Sequence, residues 1–286
     1  MDLLRHVVRC TAWSPSDFLR FEAAGRDVGF VRPHVADALS AARGFERRND
    51  RLVLDPSLPD TAARSAVLAD AMPIIARFTD RKASGEQFPL LARWGEAPLA
   101  TVDRAATTPL GFAAYGVHVN GFVRRGEEIL LWIGRRAMDR DVEPGKLDHI
   151  IAGGQPAGLS LRENLRKEAA EEAGLSTEWA DRAVPVGSLT YKFAKGEGLR
   201  NDALFVFDLE LPAHVVPENR DGEVASFELW PLDRVLHTLR TTDDFKFNVA
   251  MVVIEFLMRH GKLDPDREPD YPALAAGFRG VRPDQL

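Results

Sequence analysis

The chain has 286 residues, 45% hydrophobic and 28% charged, enough apolar material for one large or two small soluble domains. Its net charge of −6 argues against a nucleic-acid partner or an anionic membrane surface. A single cysteine, Cys10, excludes an internal disulfide framework and suits a reducing compartment, and nothing nearby would activate its thiol. The first residues are interrupted by charge too early for a secretory signal, and the longest apolar run, 249–254, is too short to span a bilayer, so a cytoplasmic protein is expected.

Residues 1–108 read as a separate α+β unit. A short helix is predicted over 14–21, two short strands over 21–31 meeting at Gly25, and a helix over 35–42. A strand over 51–55 ends at Pro56, and a helix over 61–77 is kinked or ended early by Pro73. No motif there carries chemistry, and the unit reads as a small cap or substrate-shaping domain. From Pro109 the pattern changes to strands, over 115–123, 129–136 and 147–152, the last running into Gly153-Gly154. After an acidic helix come strands over 184–193 and 202–211, a probable hairpin by their flexible connection, then a strand over 223–229. A helix follows over 231–240, and Asp243 or Asp244 is expected to cap another that Gly261 stops. Residues 263–286 are rich in Pro and charge and are expected to lie over the surface, with a short helix at 272–277. This order predicts an α/β/α sandwich with a mixed sheet over 109–262, preceded by a small α+β N-terminal domain.

The most informative stretch is 153–175. Ser160 and Glu163 form a capping box, and Gly174 sits where a helix ends in a left-handed residue. Leu161, Leu165 and Ala169 make an apolar stripe, yet Glu168 and Glu172 fall on its border with Glu171 close by. These acids repel one another and lie in the last turns, where the helix dipole disfavours negative charge. A hard divalent cation such as Mg²⁺, or Mn²⁺ in its place, would offset this.

The stretch resembles the Nudix box: a Gly, five residues, a Glu, seven residues, then Arg-Glu, an aliphatic, any residue, Glu-Glu, any residue, Gly and an aliphatic. Gly153, Glu168, Ala169, Glu171, Glu172, Gly174 and Leu175 match. Lys167 replaces the Arg, and Leu159 stands where the first Glu belongs, which leaves the metal count open. The wording around the box is similar to one Nudix branch, which carries an extra N-terminal domain and occurs fused to fungal thiamine pyrophosphokinase and as stand-alone yeast and plant proteins. Its marks here are Lys146-Leu-Asp, Ala152-Gly-Gly-Gln-Pro-Ala-Gly, Asp221-Gly-Glu-Val, Arg259-His-Gly and Glu268-Pro-Asp-Tyr. The resemblance implies the Nudix fold and Mg²⁺-dependent hydrolysis of a small-molecule diphosphate. In that branch the substrate is thiamine diphosphate or its oxothiamine and oxythiamine analogues, and another nucleoside diphosphate derivative is the alternative. A binding protein on the same fold, with Leu159 as its mark of a degraded site, is opposed by the three kept glutamates.

The resemblance makes Glu168 and Glu172 the metal ligands, with Glu171 beside them and the Gly153 carbonyl as a further donor. Lys167 is expected to orient Glu171. The general base is either a helix glutamate, Glu171 or Glu172, or the loop acid Glu223. Arg135 and Arg136, at a strand end, and Lys192 are candidates to clamp a phosphate. His118 and His149 fit structural roles better than catalysis. Trp132 and Tyr191 suit either ring stacking or core packing. Oligomeric state is not legible.

Overall fold

Residues 2–140 and 142–285 are described by the computed structural model. The chain opens with helix α1, Leu4–Thr11, whose buried face of Leu3, Val7 and Cys10 repeats at helical spacing. That face packs not on the N-terminal unit but in a core shared with the C-terminal half. No α-helix forms over 14–21. A single tight turn at Pro15–Asp17 leads straight into β1, Leu19–Ala23, where Phe21 and Ala23 alternate into the core as a strand requires.

The N-terminal unit continues with β2 (Arg26–Val31), α2 (Pro33–Ser40), β3 (Phe45–Arg48), β4 (Arg51–Leu54) and α3 (Thr61–Ile75). Its four-stranded sheet runs β2-β1-β4-β3, with β1 and β4 parallel. Helix α3 ends shortly after Pro73, as the missing N–H predicts. A second pair, β5 (Gln87–Leu90) and β6 (Ala100–Asp103), and the short α4 (Thr107–Leu110) complete the unit. Its core gathers Phe21, Leu39, Leu52, Leu68, Ile75, Phe88 and Phe112.

The second half is built on a seven-stranded mixed sheet. Its strands are β7 (Ala114–Arg125), β8 (Glu128–Arg136), β9 (Leu147–Asp148), β10 (Ile151–Gly154), then, after helices α5 (Leu161–Ala173) and α6 (Thr177–Asp181), β11 (Val184–Lys195), β12 (Gly198–Glu210) and β13 (Val224–Pro231). The main order is β11-β12-β7-β8-β13, with β12 parallel to β7 and the other pairs antiparallel. The strand expected over 147–152 is two strands: the chain pairs first with β8 and then crosses to β7.

Alternation along the strands makes the sandwich. Phe207 and Leu209 on β12 face α5, together with Val117 and Val119 of β7. Leu204 and Val206 face the other way, onto α8 (Phe247–Arg259), which follows α7 (Leu232–Thr241). Neither Asp243 nor Asp244 caps α8. Residues 244–246 instead run beside β9, with the Leu147 N–H donating to the Asp244 carbonyl at 2.8 Å and the Lys246 N–H to the Leu147 carbonyl at 3.0 Å. This path turns the Lys246 side chain inward. The tail adds α9, Tyr271–Gly277, which packs on α1. Among the described residues no helix is long and apolar enough to cross a membrane.

Candidate active site

A cavity of about 460 Å³ opens between the two halves. One wall is the N-terminal unit, with Arg81, Phe88 and Arg104; the other is the sheet and α5, with Tyr115, Gly153, Glu168 and Glu172. The halves are joined at the glycine loop itself. The Ala157 N–H donates to the Gln87 carbonyl at 2.8 Å, and Gly154 lies against the Phe88 ring, where a β-carbon would come within 2.5 Å.

Local sequence explains how α5 presents its acids. The Ser160 hydroxyl accepts from the Glu163 N–H at 3.2 Å, and Glu163 reaches back to the Ser160 N–H at 2.8 Å, fixing the helix start. Gly174, at φ 62°, ends it. Leu165, Ala169 and Ala173 pack onto the sheet, which brings Glu168 and Glu172, one turn apart, down against β10. Both are buried, at 8% and 7% exposure. Glu172 accepts the Ala152 N–H at 2.7 Å.

The electrostatics are adverse. Burial, and then the neighbouring Glu168 charge, push the Glu172 carboxyl up to about 8. Burial also raises Glu168, against the pull of Lys167. Lys167 bridges Glu168 at 3.1 Å and Glu171 at 2.8 Å. Two hard carboxylates packed against the Gly153 backbone, short of compensating charge, are a donor set that a divalent cation fits. Glu223 reaches the same cavity, paired with Arg140 at 2.6 Å.

Arg136 also lines the cavity, but its guanidinium is committed to Asp148 at 2.7 Å, which Lys246 joins at 3.1 Å. Despite deep burial, Lys246 and Arg136 hold the Asp148 carboxyl well below the usual range. Beside it the His118 and His149 rings meet Nδ1 to Nδ1 at 3.0 Å. Burial keeps both imidazoles neutral, His118 helped by the neighbouring charges of His149 and Lys246, and His149 falling to about 4 against the opposing pull of Asp148. Ligand atoms of His118, Asp148 and His149 lie within 4.8 Å of one another. A dication there would face Arg136 and Lys246 on the same carboxylate, so the cluster is poorly suited to a metal; it works as a floor of two neutral imidazoles beside a buried ion-paired carboxylate.

Other expected binders stand apart from the cavity. Arg135 donates to the Gly145 carbonyl at 2.8 Å, and Lys192 lies over the Trp13 and Phe30 rings at 5.6 and 5.2 Å. Neither placement supports a phosphate clamp. Trp132 and Tyr191 are core residues, and Tyr191 donates to Asp202 at 2.6 Å. The aromatic walls of the cavity are instead Tyr115 and Phe88. Cys10 is buried and its thiol is pushed up to about 12 by that burial, which leaves it inert.

Comparison with known proteins agrees with the geometry. Residues 114–250 match the NUDIX domain, and residues 2–114 match a domain of unknown function, DUF4743. The chain is 39% identical over 273 residues to "Nudix hydrolase 20, chloroplastic" of Arabidopsis thaliana, covering 91% of this chain and 73% of that protein. The chain belongs to the Nudix hydrolase family. As a Nudix hydrolase it is a pyrophosphohydrolase, of a family that generally uses divalent metal ions. It is also 44% identical over 194 residues to "Nudix hydrolase 24, chloroplastic" of the same plant, covering 68% of this chain and 53% of that protein. A third relative, "Uncharacterized protein YJR142W" of Saccharomyces cerevisiae, is 31% identical over 245 residues, covering 80% of this chain and 67% of that protein.

Several residues that this Nudix hydrolase brings to its cavity carry no signal in the sequence. Arg81 and Arg104 sit in a stretch without motif, and Arg200 and Lys246 look like ordinary exposed cations. Asp148, which holds Arg136 and Lys246 beneath the cavity, lies inside Lys146-Leu-Asp, a stretch that stood out.

Proposed function

We propose that the chain is a Mg²⁺-dependent diphosphatase acting on thiamine diphosphate or on its oxothiamine and oxythiamine analogues. Water attacks a phosphorus, the anhydride P–O bond breaks, phosphate leaves, and the monophosphate remains. The observation that carries the diphosphatase reading is the burial of Glu168 and Glu172 side by side beneath Gly153, in a cavity that also receives cationic side chains. The thiamine assignment is supported by the branch-specific wording at Lys146-Leu-Asp, Asp221-Gly-Glu-Val and Glu268-Pro-Asp-Tyr.

In this reading Glu168 and Glu172 would hold Mg²⁺, with the Gly153 carbonyl and Glu171 as further candidate oxygen donors. The ion supplies charge neutralisation and lowers the pKa of water. Lys167 positions Glu168 and Glu171 by bridging them. Glu223, oriented by Arg140, takes the proton of the attacking water; Glu171 is the alternative base on the helix. Tyr115 and Phe88 offer the apolar surface against which a heterocycle packs.

Phosphate release from thiamine, oxothiamine, oxythiamine and nucleoside diphosphates, with and without Mg²⁺, tests this. Turnover of a thiamine-type diphosphate at a kcat/KM at least about tenfold above the nucleoside compounds is expected. The reverse order selects the other reading, a Nudix hydrolase of a different nucleoside diphosphate derivative. No turnover of any diphosphate removes both.

A further inference from the structure

The cationic residues around the cavity are almost all spoken for. Arg104 pairs with Glu86 at 2.9 Å, Arg200 with Asp202 at 2.6 Å and Arg140 with Glu223 at 2.6 Å. Arg136 and Lys246 share Asp148, and Lys167 bridges two glutamates. Arg81 differs. It is only partly exposed, it lines the cavity, and among the described residues its guanidinium has no ion pair and no hydrogen bond. The charges nearest it make this worse. Burial, followed by the repulsion of Arg200 and Arg104, draws Arg81 down to about 10, so it stays charged at neutral pH. The acids in reach are engaged elsewhere: Asp202 with Arg200 and Tyr191, and Asp80 with Lys195 at 3.2 Å.

The segment that carries Arg81 is tied to the catalytic half. The Gln87 carbonyl accepts from Ala157 and Phe88 packs on Gly154, while within its own unit the Gly85 N–H donates to Asp103 of β6 at 2.8 Å. A partly desolvated guanidinium, crowded by two other cations and lining the same cavity as the glycine loop, lacks an anion. The geometry points to Arg81 as a substrate-binding residue that holds a phosphoryl group of the diphosphate, which makes the N-terminal domain part of the active site. This rests on the diphosphatase reading of the same cavity. A planar guanidinium gives two parallel N–H donors to phosphoryl oxygens, which a lysine ammonium only partly reproduces.

The test uses the full chain with Arg81→Ala and Arg81→Lys. For the diphosphate that the protein hydrolyses, Arg81→Ala is expected to raise KM by about ten- to a hundredfold, with kcat changed by less than about threefold. Arg81→Lys is expected to recover part of that loss. Calorimetry with methylenediphosphonate, a non-hydrolysable probe, in the presence of Mg²⁺ should show the same loss of affinity in Arg81→Ala. Should that variant melt more than about 5 °C below wild type, Arg81→Gln, which keeps the side-chain stem, replaces it in both measurements. A KM and a probe affinity within about twofold of wild type overturn the proposal. If wild type turns over no diphosphate, the hydrolase reading fails on its own, and the probe alone decides here. Arg81-dependent binding upholds the anion site, whereas equal binding, or none by wild type, ends it.

Discussion

Glu168 lies so close to the backbone at Gly153 that a β-carbon on residue 153 would overlap its side chain and come within 2.6 Å of Oε1. The glycine is therefore fixed by packing against a carboxylate and not by a turn. Its φ is not in the left-handed region. Gly153→Ala should push Glu168 away from its neighbour Glu172 while leaving the rest of α5 capped and packed. Turnover is expected to fall at least about a hundredfold, and the Mg²⁺ concentration for half-maximal rate to rise about tenfold or more. A Mg²⁺ titration of the steady-state rate checks both; a variant within threefold of wild type would show that Glu168 has no metal to hold.

Glu172 makes a prediction about stability as well as rate. Burial raises its carboxyl from the ordinary 4.5 to about 8, so the folded protein favours the protonated form. The stabilisation from that proton is complete below about pH 4.5 and is lost as pH rises through about 8. Melting in EDTA should therefore show wild type losing stability between pH 5 and 8.5, on the order of a few kcal/mol from this group, and Mg²⁺ restoring it at the alkaline end. Glu172→Gln mimics the protonated acid. It should be the more stable protein at pH 8 in EDTA, gain nothing from Mg²⁺, and turn over at least about a hundredfold more slowly. Identical metal-free pH profiles for the two proteins would sink the assignment.

The acidic helix was legible because its information is local. Ser160, Glu163 and Gly174 mark the ends of α5, and the misplacement of Glu168 and Glu172 on its apolar border is visible from residue spacing alone. The mixed sheet between helices followed from the order of strands and helices, and alternation along β12, Leu204 and Val206 against Phe207 and Leu209, covers both its faces. What spacing could not show was which half each element would join. Charged residues in α1 hid a buried face of Leu3, Val7 and Cys10 that packs on the far end of the chain. Arg81 meets Arg200 only through tertiary structure, across more than a hundred residues. Lys192 carried the right charge for phosphate but lies over Trp13 and Phe30, because strand register and not residue type decides which side of a sheet a lysine reaches.

Asp148 carries the final prediction, for the floor of the cavity. Its carboxylate satisfies the buried Arg136 and Lys246 together, and also accepts the His149 N–H at 2.9 Å. Asp148→Asn preserves the shape and removes the charge, leaving two buried cations against a neutral amide. Breaking a buried pair in this way costs about 3–5 kcal/mol, and urea unfolding at pH 7 should show a loss of that size. Because the folded-state pKa of Asp148 is depressed, its contribution is present above the unfolded value and is lost as pH falls through the folded one. The gap between wild type and Asp148→Asn should stay constant from pH 8 to about 5 and narrow below about 4, near the unfolded aspartate value. A gap under about 1 kcal/mol at pH 7, or one that does not narrow in acid, would mean that the two cations reach water and that the cavity floor is not the sealed charge cluster seen here.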